Sequence, residues 1–363
     1  MTLDELMERN VILHCLSTEM KLAYLVQFSD GDDPYNVRKY PLLVVSQKCY
    51  SRYVYIVQLD DFIKYCDTLD VASRRIIWMS HSVRCGSTLW GQIFNSLPDW
   101  GVVSESMFAV HTLLHERSFG DLATYGASAE FGELVMAGFK FHISRFTNGQ
   151  SVLFKVALLD HYVLPHIYRY FTDITVFHAY RNVLPSARSW YNSIIAKEEK
   201  ALPVDYAYNR ILNPNSRNEY LVSEIFALYT QRLATSIEAV NVLRPKGLFE
   251  WYIFLWCSKN STVRISERNG IEVKCLRYEC LLENKEKYIR KLFQYLDIYN
   301  EWVSTAVKAT DQDSQSGIFL SHSERQANMK WKRTEEAVKR ANQILSGLGY
   351  PGVDSDFKFE NTL

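Results

Sequence analysis

The sequence has no excess of either charge, because its 41 lysines and arginines equal its 41 aspartates and glutamates. A formal net charge of zero excludes a global field that would draw the chain onto nucleic acid or an anionic membrane. An anion-binding site must then be local. The sequence also lacks a run of about 18 apolar residues, which a membrane-spanning helix requires. We therefore expect neither a nucleic acid nor a membrane as partner.

The cysteines are few and lack any paired spacing. There are seven of them, an odd number, and their positions fit neither a zinc site nor a disulfide framework. The first twenty residues carry early acidic side chains and no apolar core of signal-peptide length. These absences predict a soluble cytoplasmic protein with reduced thiols. His111 and His115 have a zinc-compatible spacing, but no third ligand follows, so we expect no metal.

Short β-branched runs alternate with helical patterns from residue 75 onward. The runs are "RIIWMS", "VLFKVALL", "ITVFHAY" and "IEVKCLRY". This alternation predicts an α/β fold with a central parallel β-sheet flanked by helices. Residues 41–68 read as two β-rich runs and a short helix, which predicts a small N-terminal ββα appendage. We expect the appendage over residues 1–72, the main domain over 73–352 and a tail over 353–363, with residues 217–265 largely helical.

The segment "SVRCGSTLW", residues 82–90, joins the first main strand to a helical pattern. Arg84 enters the turn, Gly86 lets the backbone approach a ligand, and Ser87 and Thr88 offer donors at a helix start. These donors suit a terminal phosphate. A P-loop that binds ATP would carry a lysine at the position of Ser87 and an earlier glycine, so ATP hydrolysis is disfavoured. The alternative is an ordinary helix start rich in small residues.

A second pattern, "VFHAYRNVLPSARSW", places Arg181 at the end of an apolar strand and Ser189 eight residues later. Eight residues are about two helical turns, and Pro185 can open that helix. Ligands of open α/β sheets bind outside the carboxyl ends of the strands, so the pair predicts a second anion clamp. The alternative is a surface arginine and a serine that packs between helices.

With both patterns in view, the chain resembles the sulfotransferases that use 3′-phosphoadenosine 5′-phosphosulfate (PAPS). The first pattern resembles the 5′-phosphosulfate loop of that family, with Cys85 in place of the usual serine. The second resembles its 3′-phosphate motif, with Val183 in place of the usual proline. A third segment, "CLRYECLLENKEKYIRKLFQYLDI", resembles the late strand and helix of the family. The likeness runs over roughly residues 75–350 and implies a P-loop NTPase-like sulfotransferase fold.

The resemblance implies roles for individual residues at the nucleotide. The 5′-phosphosulfate segment would comprise Arg84, Cys85, Gly86, Ser87, Thr88 and Leu89. Arg181 and Ser189 would bind the 3′-phosphate, and Tyr278 would lie against the adenine. Leu89 stands where some members have an adenine-stacking tryptophan, so that contact would be weaker or supplied by Trp90. The late loop over residues 311–323 would close over the nucleotide.

Sulfuryl transfer requires charge neutralisation, in-line placement of the acceptor and a base. The resemblance assigns the neutralisation to Arg84 and Lys155. The alternative for Lys155 is a strand-edge lysine that reaches to water. Small-molecule cytosolic members have Lys-Thr-His on this strand, whereas this chain has Lys155, Val156 and Ala157. The expected histidine base is therefore absent.

The resemblance to other branches of the family points to Glu105, 21 residues after Arg84, as the general base. Apolar surroundings can raise the pKa of a carboxyl group towards neutrality, which suits a base. The alternative is a glutamate in the first turn of a helix after Ser104.

The sequence thus predicts sulfuryl transfer from PAPS to a hydroxyl or amine of a small-molecule acceptor. We expect the N-terminal segment and residues 190–265 to set specificity, with His161 and His166 either lining the acceptor pocket or packing. Two alternatives stay open: a nucleotide-dependent phosphotransferase, and a non-catalytic nucleotide-binding module on the same fold.

Overall fold

The structure is a computed structural model that describes residues 3–82, 84–106, 108–109, 112, 126–147, 149–156, 160–171, 173–192, 239, 242–314 and 331–363. Within these residues strands β1 to β8 are Val11–Ser17, Leu22–Gln27, Tyr53–Gln58, Ile76–His81, Trp100–Ser104, Ser151–Val156, Thr175–Tyr180 and Lys274–Arg277. Helices α1 to α12 are Leu3–Met7, Leu43–Tyr50, Leu59–Thr68, Ser87–Asn95, Ala129–Ser144, Asp160–Tyr170, Val183–Trp190, Gly247–Arg268, Tyr278–Glu283, Lys285–Tyr295, Val303–Ala309 and Glu335–Gly347.

The larger sheet is parallel and has the strand order β5-β6-β4-β7-β8. Strands β4 and β5 both pair with β6 in parallel register. Every residue of β4 and β5 is buried. Burial on both faces explains why these strands read as continuous apolar runs rather than as alternating patterns. The predicted α/β fold with a central parallel sheet flanked by helices is confirmed.

The N-terminal region carries a separate antiparallel sheet of three strands in the order β1-β2-β3. The second of the two predicted β-rich runs and the helix after it are confirmed, as Tyr53–Gln58 and Leu59–Thr68. The run before them was wrongly predicted as β-rich, because Leu43–Tyr50 is helix α2. It buries Leu43, Ser46 and Gln47 at helical spacing, and Gln47 Nε2 donates to the carbonyl oxygen of Leu13. A short apolar run does not distinguish the two structures by periodicity.

The chain divides into two compact units. Unit 1 comprises residues 1–80, 88–177 and 301–314. Helix α5 packs on α3 and α6 in this unit. Its aromatic core includes Trp78 stacked on Phe154 at 5.8 Å, with Phe139 at 4.5 Å from Phe154.

Unit 2 comprises residues 81–87, 178–300 and 315–363. Here helix α8 packs on α7 and α12, which confirms the predicted helix for the last part of residues 217–265. The C-terminal residues continue the packing, since Phe359 lies 5.0 Å from Tyr180 and Leu363 N donates to the carbonyl oxygen of Cys275. The domain limits at residues 72 and 352 stay a prediction. No helix in the described part of the chain is long and apolar enough to cross a bilayer.

Candidate functional site

The segment after strand β4 forms a tight turn, as predicted, and helix α4 begins at Ser87. Arg84 has φ 53° and Gly86 has φ 81°. A left-handed arginine is uncommon, and backbone strain of this kind concentrates at functional sites. Cys85, Ser87 and Thr88 are nearly buried. The predicted donors therefore lie on a turn whose geometry the surrounding structure holds in place.

Gly86 lies directly against the ring of Tyr278. A Cβ atom built on Gly86 would be 2.5 Å from both Cδ2 and Cε2 of that ring. The close approach leaves no room for a Cβ atom, and the positive φ also favours glycine. Within unit 2 the structure therefore brings the turn together with Tyr278, which directly follows strand β8. The predicted contact of Tyr278 with adenine stays a prediction.

Arg181 directly follows strand β7, and its guanidinium carbon lies 4.8 Å from the centre of the Tyr278 ring. A cation over an aromatic face is attracted by the ring quadrupole. The backbone on both sides of this residue is fixed as well. Trp256 Nε1 donates to the carbonyl oxygen of Arg181 at 2.8 Å, and Asn182 N donates to Glu279 Oε1 at 3.0 Å.

Sequence reasoning missed these two supports of Arg181. Glu279 could have been noticed, because it directly follows Tyr278 in the third segment. Its hydrogen bond from Asn182 N could not have been predicted from the sequence spacing. Trp256 carried none, since it belongs to an aromatic run on helix α8 whose members are nearly all buried.

Arg84 and Ser189 are in contact, since Arg84 Nε donates to Ser189 Oγ at 3.3 Å. The two residues belong to different sequence patterns, 105 positions apart, and helix α7 carries the serine. The sequence patterns predicted one anion clamp each and did not specify a hydrogen bond between Arg84 and Ser189. The structure brings one residue of each pattern together in unit 2.

Lys155 lies near the end of strand β6 and has no exposed surface. Its Nζ donates to Glu105 Oε1 at 2.8 Å and to Thr88 Oγ1 at 3.3 Å. The alternative of a lysine that reaches to water is therefore wrong. A buried ammonium requires partners of this kind, because its desolvation is otherwise strongly unfavourable. Unit 1 thus brings together three predicted site residues around one buried charge.

Glu105 directly follows strand β5 and has φ 56°. Its N–H donates to the carbonyl oxygen of Lys155 at 2.9 Å. The alternative of a glutamate in the first turn of a helix is wrong, because the left-handed region is not helical. The ion pair also differs from the expected apolar enclosure, since an adjacent cation favours the ionised carboxylate. An ionised carboxylate can accept a proton, but the ion pair makes it a weaker base than the expected apolar surroundings would.

The remaining sequence-based candidates divide into packed and undescribed residues. Trp90 is fully buried, which leaves no face for an adenine ring, whereas Leu89 is partly exposed. His166 forms a hydrogen bond with the carbonyl oxygen of Gly126 at 3.0 Å and lies against Phe131. Lying outside the described residues are Ala157, His111, His115, the side chain of His161, residues 193–238 and residues 315–323.

Comparison with known proteins gives weak structural likenesses. No family model matches the sequence, and no curated protein matches it. A sulfotransferase from Alicyclobacillus acidocaldarius has 11% identity and a TM-score of 0.42, with 76% of this chain and 94% of that chain covered. The mouse sulfotransferase SULT7A1 in complex with PAP has 11% identity and a TM-score of 0.35, with 84% and 81% covered.

The sulfotransferase STF1 from Mycobacterium tuberculosis H37Rv has 11% identity and a TM-score of 0.38, with 94% of this chain and 98% of that chain covered. At 11% identity and TM-scores below 0.5, all three are distant structural likenesses.

Proposed function

We propose that the protein is a PAPS-dependent sulfotransferase. The acceptor oxygen or nitrogen attacks the sulfur atom, and the bond between sulfur and the bridging oxygen of the 5′-phosphate breaks. The acceptor proton passes to Glu105, and 3′-phosphoadenosine 5′-phosphate (PAP) leaves. The acceptor is a small molecule with a hydroxyl or an amine, and neither nucleic acid nor a membrane takes part.

The observation that carries the proposal is the arrangement around Tyr278 in unit 2. Its ring contacts Gly86 and lies under the guanidinium of Arg181, while Arg84 donates to Ser189. Two guanidinium groups, a serine hydroxyl and an aromatic ring are suited to phosphate and a purine base. Charge-assisted hydrogen bonds contribute about 1.5 to 3 kcal/mol each, so a few of them support micromolar binding of a nucleotide.

The arrangement in unit 1 supports the transfer step. Lys155 supplies a positive charge that is held without solvent, which strengthens its interaction with a sulfonate oxygen. Glu105, 13% exposed, lies 2.8 Å from the ammonium nitrogen of Lys155 and accepts the acceptor proton in this proposal. Thr88, the last hydroxyl residue of the predicted phosphosulfate segment, receives a hydrogen bond from Lys155 at 3.3 Å.

The donor proposal is tested by nucleotide binding to the full chain. PAP should raise the melting temperature, because a ligand at about 100 times its Kd stabilises the folded state by about 2.7 kcal/mol. ATP with Mg²⁺ should not. Arg181→Ala should lose the shift, whereas Ser261→Ala should keep it, since that hydroxyl donates at 2.7 Å to the carbonyl oxygen of Ser258 within helix α8.

The transfer is tested with ³⁵S-labelled PAPS and a pool of phenols, alcohols, sugars and amines, followed by mass spectrometry of the labelled product. Labelled product supports the sulfotransferase. A melting shift with ATP and Mg²⁺ but none with PAP would indicate a phosphotransferase, and PAP binding without any transfer would indicate a binding module.

A further inference from the structure

A buried chain of hydrogen bonds lies next to Glu105 in unit 1 and joins Tyr35, His142 and Ser106. Tyr35 OH lies 2.8 Å from His142 Nδ1, and Ser106 Oγ lies 2.8 Å from His142 Nε2. The three residues come from separate parts of the sequence, with 107 positions between the tyrosine and the histidine. Tyr35 and Ser106 are buried, and His142 has no exposed surface.

The imidazole of His142 is held as a neutral group. Burial lowers the pKa of His142 to about 3. A neutral imidazole has one donor and one acceptor nitrogen, and the two hydroxyl groups complement both. The ring also packs against Phe108 at 5.4 Å and Phe154 at 5.9 Å. Its orientation is therefore fixed, and with hydrogen bonds at both ring nitrogens and a pKa lowered to about 3 it is not suited to act as a base for a substrate.

Glu105 is held from both sides along the chain. Ser104 Oγ donates to the carbonyl oxygen of Pro41 at 2.6 Å, and Glu105 N donates to the carbonyl oxygen of Lys155 at 2.9 Å. On the other side of Glu105, the hydrogen bond between Ser106 Oγ and His142 Nε2 holds Ser106 in place. A non-glycine residue in the left-handed region is strained and persists only where its surroundings over-determine it. The three successive residues supply such surroundings.

We infer that the Tyr35–His142–Ser106 chain is a positioning device for the carboxylate of Glu105. It holds the segment after strand β5 in its left-handed turn, and that turn directs Glu105 Oε1 to Lys155 Nζ. Ser106 and His142 act through Glu105 and need no contact with the substrate. The effect of this chain on turnover rests on the proposed sulfuryl transfer. Its effect on the conformation of the segment around Glu105 does not.

The test compares Ser106→Ala with Ser106→Thr and with Ser144→Ala. Ser106→Ala removes the hydroxyl that His142 holds, and Ser106→Thr restores one. Ser144→Ala is the matched control, because its hydroxyl donates at 2.8 Å to the carbonyl oxygen of Phe141 on the same helix as His142. Where Ser106→Ala fails to fold, Tyr35→Phe replaces it, since it removes only the far hydroxyl of the chain.

The first readout is steady-state kinetics with PAPS. Ser106→Ala should lower kcat about 10- to 100-fold, because a small misplacement of a catalytic group has an effect of this order. The KM for PAPS should stay within about twofold, since the positioning acts on the base and not on nucleotide binding. Ser106→Thr should recover most of the loss, and Ser144→Ala should behave as the unmodified chain does.

The second readout does not depend on activity. The ammonium protons of Lys155 are protected by burial and by the ion pair, so their exchange with water can be followed by ¹⁵N NMR, with assignment by Lys155→Arg. Ser106→Ala should accelerate this exchange about tenfold, the effect of roughly one lost hydrogen bond. Ser106→Thr should restore slow exchange, and Ser144→Ala should not change it.

The two readouts separate the two proposals. Faster exchange together with a fall in kcat supports both. Faster exchange in a chain that transfers no sulfuryl group supports the positioning device and overturns the sulfotransferase. Unchanged exchange, or an unchanged kcat in an active Ser106→Ala enzyme, overturns the positioning device.

Discussion

The ammonium nitrogen of Lys155 lies 2.8 Å from Oε1 of Glu105, and the lysine has no exposed surface. The two residues come from neighbouring parallel strands, because Ser104 at the end of β5 is paired with Lys155 on β6. Glu105 follows Ser104 directly and turns its carboxylate to that ammonium. One ion pair thus joins the proposed base, Glu105, to Lys155, the cation proposed to neutralise charge on the sulfonate.

The first prediction concerns the proton-accepting role of Glu105. Glu105→Gln should lower kcat by about 10²- to 10⁴-fold, the usual range for a general base, because the amide cannot take up the acceptor proton. The Kd for PAP, measured by calorimetry, should remain unchanged. Glu133→Gln, which alters an exposed glutamate of helix α5, is the control and should keep full turnover. Normal turnover in Glu105→Gln would exclude this residue as the base.

The second prediction concerns the stability of the buried pair. Either Lys155→Met or Glu105→Gln leaves one partner uncompensated, and breaking a buried pair is destabilising by about 3 to 5 kcal/mol. The double variant should lose clearly less than the sum of the two single losses, because it no longer contains the unpaired charge. Urea unfolding of the four proteins measures the coupling. Additive losses would show that the contact contributes nothing to the free energy of unfolding.

The third prediction concerns the contact between Gly86 and Tyr278. Gly86→Ala should lower stability and weaken PAP binding, because the added Cβ meets ring carbons at 2.5 Å in a backbone with φ 81°. Gly149→Ala is the matched control, since φ is 91° there and, among the described residues other than its chain neighbours, none has an atom within 4 Å of the added Cβ. The control should lose only the cost of the left-handed backbone, about 1 kcal/mol. Equal losses in both variants would contradict the steric contact.

A second substitution separates sterics from backbone strain in this contact. Tyr278→Ala removes the ring that the new Cβ would meet, so Gly86→Ala should be less damaging to stability in that background than in the unmodified chain. Chemical denaturation of the single and double variants measures the loss caused by Gly86→Ala in each background. Equal losses in the two backgrounds would contradict the steric contact.

Much of the fold and the position of the site could be predicted from the sequence. Buried parallel strands read as apolar runs, and helices read as periodic ones, so the sheet and the turn at residues 82–88 were found from local patterns. Lys155 and Arg181 stood out because each is a cation within or directly after an apolar run, and Arg84 stood out because it enters the turn before a helix start. Local chemistry of this kind is visible without coordinates.

Contacts between distant segments could not be predicted. Helix α2 was misassigned because its buried Gln47 hydrogen-bonds to Leu13, which lies on a strand that the patterns had not revealed. The same holds for the Arg84–Ser189 contact and for the neighbours of His142, which are separated by dozens of residues. No periodicity encodes a long-range hydrogen bond, so these features require the three-dimensional structure.

The fourth prediction concerns the hydrogen bond between Arg84 and Ser189. Ser189→Ala removes the acceptor of Arg84 Nε at 3.3 Å and a hydroxyl proposed for the 3′-phosphate. The affinity for PAP should fall about 10- to 100-fold, as expected for the loss of a hydrogen bond to a charged group. Arg84→Ala should have at least as large an effect. Calorimetry with PAP measures both, and Ser261→Ala should keep the original affinity.

The fifth prediction concerns acid stability in unit 2. His178 is fully buried on strand β7, and its ring nitrogen Nε2 lies 3.1 Å from Asn260 Oδ1. Burial lowers the pKa of His178 to about 3, partly offset by the hydrogen bond to Asn260. Below the usual histidine pKa of about 6.5, His178 binds a proton in the unfolded chain but stays neutral in the folded chain. The contribution of neutral His178 to the free energy of unfolding is therefore fully present above pH about 6.5, and it is lost as the pH falls towards 3.

The contribution of His178 to that fall is at most about 1.4 kcal/mol per pH unit. His178→Leu should remove this part of the slope between pH 6 and 4 while lowering stability at pH 7 through the lost bond to Asn260. Tyr350→Phe is the control, because it removes a buried hydroxyl that donates at 3.1 Å to Cys257 and does not titrate in this range. Its unfolding curve should shift equally at every pH. A slope in His178→Leu as steep as in the control would mean that this imidazole is protonated in the folded protein.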